Sequence, residues 1–178
     1  MKYFDELKRT MEWLARQPKT FFLGQTVAGP GTFMFQTLRD ISPEKTLEMP
    51  INESFQMQFT IGAALAGYVP ISVYPRQNFL LIAVSDMVNM LDKIPVISSH
   101  AWMPKILIRV AVGPDAPVHP GHQHVGNYAD AFRKLFHWIE VVELNEPEDI
   151  FPAYKNALER SDNRTTLLIE HGNYYQQK

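Results

Sequence analysis

Glu53 is the first residue whose type and place suggest chemistry. It closes the stretch Pro50-Ile51-Asn52-Glu53, after a strand-like run of Leu47, Met49 and Ile51, and a pattern rich in small residues follows, with Gly62, Ala63, Ala64, Ala66 and Gly67. A carboxylate at the carboxyl end of a strand stands where open α/β sheets bind ligands. The same group in the first turn of a helix also complements the helix dipole without doing chemistry. Local sequence leaves both readings open. The second cluster is the loop at 113–124, which holds His119, His122 and His124. Imidazole is a common zinc ligand, but no cysteine or well-placed carboxylate completes a set, and Pro120-Gly121 gives the wrong spacing for a helical two-histidine site. No metal ligand is therefore expected. A histidine there suits proton transfer because its ordinary pKa lies near neutrality. The alternative is a solvated loop side chain, the expectation for His119 and His122.

These residues need elements to hold them. Phe4, Leu7, Met11 and Leu14 recur at helical spacing, so residues 3–17 read as an amphipathic helix that Pro18 ends. Residues 20–27 read as a buried strand, 28–31 as a turn-rich loop and 33–39 as a short helix. A strand at 45–49 delivers Glu53, and a third strand is expected at 69–74. Residues 78–93 read as one helix, 94–104 as irregular and 105–112 as a strand before the histidine loop. Helix 128–136, strand 139–143, helix 147–160 and strand 165–169 complete the chain. Pro147 suits a first helical turn, where its missing N–H costs nothing. Strands alternating with helices predict an α/β fold, a three-layer α/β/α arrangement around a mainly parallel sheet of about six strands. No repeat or linker interrupts it, so residues 1–178 are expected to form a single domain.

Composition narrows the field. With a formal net charge of −2 and 20% charged residues, nothing favours nucleic acid or an anionic membrane surface. The chain has no cysteine, and its amino terminus is charged with no apolar signal core. No run approaches ~18 apolar residues, so neither a membrane span nor a membrane partner is expected, and a cytoplasmic protein is. Aromatic content is 12%, with 11 Phe, and a surplus of this kind suits an interface.

Residues 50–83 also carry a family resemblance. Pro50-Ile51-Asn52-Glu53, the Gly62–Gly67 helix segment, Pro70-Ile71 and Asn78-Phe79 follow one another in this order. In that order and spacing they resemble the pyrimidine-binding domain of thiamine-diphosphate enzymes, most of all the beta subunit of the decarboxylating component of 2-oxoacid dehydrogenases, a transketolase-like family. The resemblance covers nearly the whole chain. It implies that Glu53 hydrogen-bonds N1′ of the cofactor's aminopyrimidine, that Phe79 packs beside that ring and that Ile51 lies beneath it. A core position is an equally good reading of Ile51. Gln123-His124 matches a pair that faces the active site in the family, which implies a proton-transfer role for His124. Gln25 matches a position that is usually an acid in Leu-Gly-Glu, and as an amide it can bind but carry no charge. Ile82 and Ser85 also stand where relatives often place acids, which puts a proton relay between two active sites in doubt. Glu170-His171 matches a structural pair near the domain's end.

The family's beta subunit continues into a second domain, and its diphosphate and Mg²⁺ are held through a Gly-Asp-Gly and a downstream Asn. This sequence contains neither, so a carboxy-terminal transketolase-like domain and a diphosphate-binding domain are expected to be absent. The resemblance then implies a split enzyme in which thiamine diphosphate is shared with an alpha-type partner chain that holds Mg²⁺, as an α2β2 heterotetramer. Its substrate would be a 2-oxo acid or a ketose-like molecule. The alternatives are a non-catalytic structural or regulatory subunit that kept the fold and, more weakly, a metal-dependent hydrolase built on the histidine loop.

Overall fold

The computed structural model describes residues 2–116 and 119–177. Six strands form one sheet in the order β2-β1-β3-β4-β6-β5, where β1 is Thr20–Gly24, β2 Thr46–Glu48, β3 Val69–Tyr74, β4 Leu107–Val112, β5 Glu140–Glu143 and β6 Thr166–His171. Every neighbouring pair is parallel. All six carboxyl ends therefore open on one edge, where α/β sheets place their ligands.

Alternate residues of the central strands feed two separate cores, as the period of a strand requires. Phe22, Ile71, Val73, Leu107, Ala111 and Leu168 meet α1 (Tyr3–Ala15) and α7 (Pro147–Glu159) on one face. Tyr74, Ile108, Val110, Leu167 and Ile169 meet α2 (Glu53–Leu65), the helical segments of 77–91 and α6 (Ala129–Leu135) on the other. Strands buried on both sides read as continuous apolar runs, as β4 does apart from Arg109. These are the three layers expected.

Several elements depart from expectation in ways that matter for the site. β1 stops at Gly24 and does not run on to residue 27. Gly24 has φ of +151° beside the Val73 carbonyl, where a Cβ would collide. The N–H groups of Thr26, Val27 and Ala28 then turn to the Glu48 carboxylate instead of a sheet ladder. The expected single helix at 78–93 is a succession: α3 (Gln77–Leu80), a 3₁₀ turn at Leu81–Ala83, α4 (Val84–Asp86) and a π turn at Met87–Leu91. Apolar spacing survives this slippage, so local sequence does not reveal it. Within 94–104, α5 (Ile94–Ile97) forms with Pro95 in its first turn. At the other end β6 runs on to His171, and a last short helix, α8, spans Tyr174–Gln177.

Two polar devices fix the helices. Gln56 of α2 donates to Ser72 Oγ at 3.1 Å and to the Val73 carbonyl at 3.0 Å, so the helix start sits close on β3. Arg109 and Glu170 form a fully buried pair between β4 and β6, with Nε to Oε1 at 2.6 Å, and the Tyr154 phenol donates to Oε1 at 2.8 Å. Burial acts against the Arg109 charge, but Glu170 and the phenols outweigh it and push its pKa above the ordinary value. Among the described residues no helix is long and apolar enough to cross a membrane.

Candidate functional site

Glu53 opens α2 at the carboxyl edge of the sheet. Asn52 caps the helix, its side chain accepting from the Phe55 N–H at 2.9 Å, so that orphan donor does not fall to Glu53. The Glu53 side chain is only 7% exposed, which a dipole-compensating surface carboxylate has no reason to be. Gln25, just past the end of β1, donates from Nε2 to Glu53 Oε1 at 3.2 Å. The Tyr74 phenol donates to the Glu53 carbonyl at 3.3 Å. Burial pushes that phenol above its ordinary pKa, with the Glu53 and Asp86 carboxylates adding to the effect, so it remains a donor.

Phe79 and His124 form a second pair at the same edge. Phe79 stands in α3, directly after β3, and His124 ends the 3₁₀ turn His122–His124. Their rings meet edge to face with centroids 5.5 Å apart. His124 Nδ1 and Asn78 Oδ1 are buried and have no partner among the described residues. A buried polar atom left open is costly, and two of them here mark an incompletely satisfied place. Among the described residues no hydrogen bond joins the Glu53–Gln25 pair to the Phe79–His124 pair.

The structure corrects one reading and separates others. Ile51 is 86% exposed, so it is no core residue; it stands outside the fold, free to meet a ligand or another chain. His119 and His122 are exposed, with rings 5.8 Å apart. Among the described residues no group of three or more His, Cys, Asp or Glu is arranged to hold a metal ion. Ile82 and Ser85 lie on the exposed surface. Of the small residues of α2, Ala64 packs into the core between the helix and the sheet. Gly62, Ala63 and Ala66 instead line an open groove of about 790 Å³ with Phe21, Leu47 and Tyr68.

Two residues at the site escaped sequence reasoning. Asp86, 9% exposed, accepts from Ser54 Oγ, next to Glu53, and from Gln58 Nε2 at 3.0 Å. Its signal was an acid on the sheet-facing stripe of an apolar helix. Arg76 precedes Gln77-Asn78-Phe79 and donates from Nη1 to the carbonyls of Gly113, Pro114 and His124. A cation between a buried strand and an aromatic helix start was the available sign.

No family model matches the chain. Among curated proteins, it is 25% identical over 173 residues to the pyruvate dehydrogenase E1 component subunit beta of Gracilaria tenuistipitata var. liui, covering 94% of this chain and 52% of that protein. It is 30% identical over 160 residues to the same subunit of Rickettsia bellii, covering 88% of this chain and 48% of that protein. The chain thus spans about half the length of the curated relatives it matches. Among solved structures, a split gene transketolase described as an inactive beta4 tetramer superposes with a TM-score of 0.66 at 16% identity, covering 95% of this chain and 49% of that one.

Proposed function

We propose that this chain, a transketolase-like beta domain, supplies the pyrimidine-binding half of a thiamine-diphosphate site completed by an alpha-type partner chain. The assembled enzyme then acts on a 2-oxo acid or a ketose-like substrate. The buried Glu53 carboxylate carries this reading: it sits at the carboxyl edge of a parallel sheet with Gln25 on one oxygen.

The residues present suit the pyrimidine end of such a cofactor. Glu53 offers a carboxyl group to a ring nitrogen, Phe79 an aromatic face and Ile51 an exposed aliphatic one. The open polar atoms of Asn78 and His124 lie at the same edge. In this reading the partner chain holds the diphosphate and Mg²⁺. Bound thiamine diphosphate supplies a carbon nucleophile for cleaving and forming carbon–carbon bonds. Glu53 holds a proton at the pyrimidine nitrogen, in a place from which water is largely excluded. Gln25 orients that carboxyl group by donating an N–H and, being neutral, leaves it the only acid of the pair. His124 moves a proton on the substrate side, with Phe79 fixing one face of its ring.

Calorimetric titration of thiamine diphosphate with Mg²⁺ into the chain, the partner and their mixture tests the reading. Saturable binding is expected in the mixture and not in either chain alone. Glu53→Gln should then slow hydrogen–deuterium exchange at the cofactor's C2 by on the order of 100-fold or more. A variant that exchanges at the wild-type rate would remove Glu53 from the chemistry. One observation favours a second reading, a subunit that kept the fold without the chemistry: Gln25 is an amide where the family resemblance implies an acid. Absence of binding in every mixture would select it.

A further inference from the structure

We propose that Arg76 is the positioning residue of this site: it clasps the loop carrying His124 to the end of β3. What His124 does once placed rests on the functional reading above, whereas where His124 is held does not. Arg76 Nη1 donates to the Gly113 carbonyl at 3.0 Å, the Pro114 carbonyl at 3.3 Å and the His124 carbonyl at 3.0 Å. These acceptors come from the two ends of the 113–124 loop, so one cation closes it. The other described anchors of the loop are modest. Asn173 accepts from the Asp115 N–H at 3.0 Å, and within the loop itself His119 Nδ1 accepts from the Gly121 N–H at 3.0 Å and the Gly121 carbonyl from the His124 N–H at 3.2 Å.

Arg76 also governs the other member of the pair. Its own carbonyl accepts from the Phe79 N–H at 3.1 Å and the Leu80 N–H at 3.3 Å, which starts the turn that presents Phe79. The backbone of Arg76 therefore sets Phe79, and its side chain sets His124. The guanidinium is itself held. It lies 6.0 Å from the centroid of Phe33, whose ring stands 5.2 Å edge-on to Tyr175, and that phenol accepts from Arg109 Nη2 at 3.1 Å. A succession of contacts thus runs from the clasp to the buried Arg109–Glu170 pair.

The electrostatics agree. Arg76 makes no ion pair among the described residues, and burial draws its pKa below the ordinary arginine value. A half-buried cation with no anion must be satisfied by dipoles, and the three loop carbonyls supply them. Such charge-assisted bonds are roughly twice as strong as neutral ones. Lysine would carry the charge, but its flexible ammonium lacks the rigid planar group that fixes Nη1 between the two ends of the loop.

The test is amide hydrogen exchange on the purified chain, comparing wild type with Arg76→Met and Arg76→Lys. Arg76→Met should speed exchange of the described loop amides, 115–116 and 119–127, by about tenfold or more, while β4 and β6 keep their protection. Arg76→Lys should fall between, and it serves as the working variant if Arg76→Met fails to fold. Loop exchange unchanged in a folded variant would overturn the proposal. So would exchange raised equally throughout the chain, which would make Arg76 a scaffold residue. With a partner chain present, Arg76→Lys should lower kcat while cofactor affinity holds. Glu53→Gln should leave loop exchange untouched, so a wrong functional reading and a wrong clasp give different results.

Discussion

At the scale of single residues, the site rests on an acid and an amide in contact. Gln25 and Glu53 are 3.2 Å apart, and only Glu53 is ionisable. Gln25→Glu therefore puts two carboxyl groups where one proton must be shared, because like charges at that distance resist joint ionisation. The folded pair then holds a proton to higher pH than the unfolded chain does. The sign follows: no penalty at a pH below the ordinary carboxyl range, and a penalty that grows as pH rises through and above it. It should reach about 1–2 kcal/mol at pH 7, since each tenfold gain in proton affinity on folding is worth roughly 1.4 kcal/mol. Urea denaturation of variant and wild type at pH 4 and pH 7 checks it. A penalty equal at both pH values would mean that the cost is steric. Glu53, Phe79 and His124 stood out in the sequence as candidates because a family pattern surrounds each of them, and the fold brings all three to the carboxyl edge of the sheet. Ile51 was a candidate in the sequence but its exposure was not readable there, since nothing in its neighbours reports what lies outside the fold. Arg76 offered only its place between a buried strand and an aromatic helix start, because its partners are backbone carbonyls, which look the same in every sequence.

At the scale of elements, the sheet is held to its outer layer by charge as well as by apolar contact. Arg109 in β4 and Glu170 in β6 are both fully buried, and Tyr154 of α7 and Tyr175 of α8 add phenols to the same carboxylate. Removing one partner leaves the other charge buried and alone. Glu170→Ala should cost about 3–5 kcal/mol, while Tyr175→Phe, which removes one hydrogen-bonding group, should cost about 1–2 kcal/mol. Equilibrium unfolding in urea separates the two, and near-equal losses would contradict a charge-centred account. The Arg in an otherwise apolar strand and the Glu-His near the chain's end were both visible in the sequence; their meeting was not, because pairing between β4 and β6 skips β5. Strand order is a non-local fact. The fracture of 77–91 into short turns has a similar origin. Asp86 is drawn toward Ser54 and Gln58, and Asp92 takes the N–H groups of His137, Trp138 and Ile139. Both tethers reach residues far along the chain, so a local helical period misses them while still finding the buried stripe.

At the scale of the whole molecule, the surface carries more large apolar side chains than a solitary chain has use for. Phe55 and Phe59 on α2 are 46% and 42% exposed, and Val96, Ile97 and Trp102 around α5 are 59%, 74% and 62% exposed. Phe59 also borders the groove of about 790 Å³ lined by Gly62, Ala63 and Ala66. A Cβ placed on Gly62 would meet nothing within 4 Å, so the helix backbone itself is open to approach there. Apolar side chains exposed in clusters, as on α2 and around α5, mark interaction sites in soluble proteins. Small residues let another element come close, and aromatic residues around them give an interface its core. The chain should therefore associate, with itself when alone and with its partner when one is present. At ~25 cal/mol per Å² a single buried Phe contributes about 2–3 kcal/mol, which shifts a dissociation constant by about 30- to 150-fold. Sedimentation velocity at micromolar concentration should show species heavier than one chain. Phe59→Lys should move them toward the monomer if the groove is the contact, and Ile97→Lys if the α5 face is. The apolar-to-charged change at the surface leaves the core intact, so thermal stability should hold in both variants. A monomer at every concentration, alone and mixed with a partner chain, would leave the exposed apolar faces without a purpose and with them the case for a shared site.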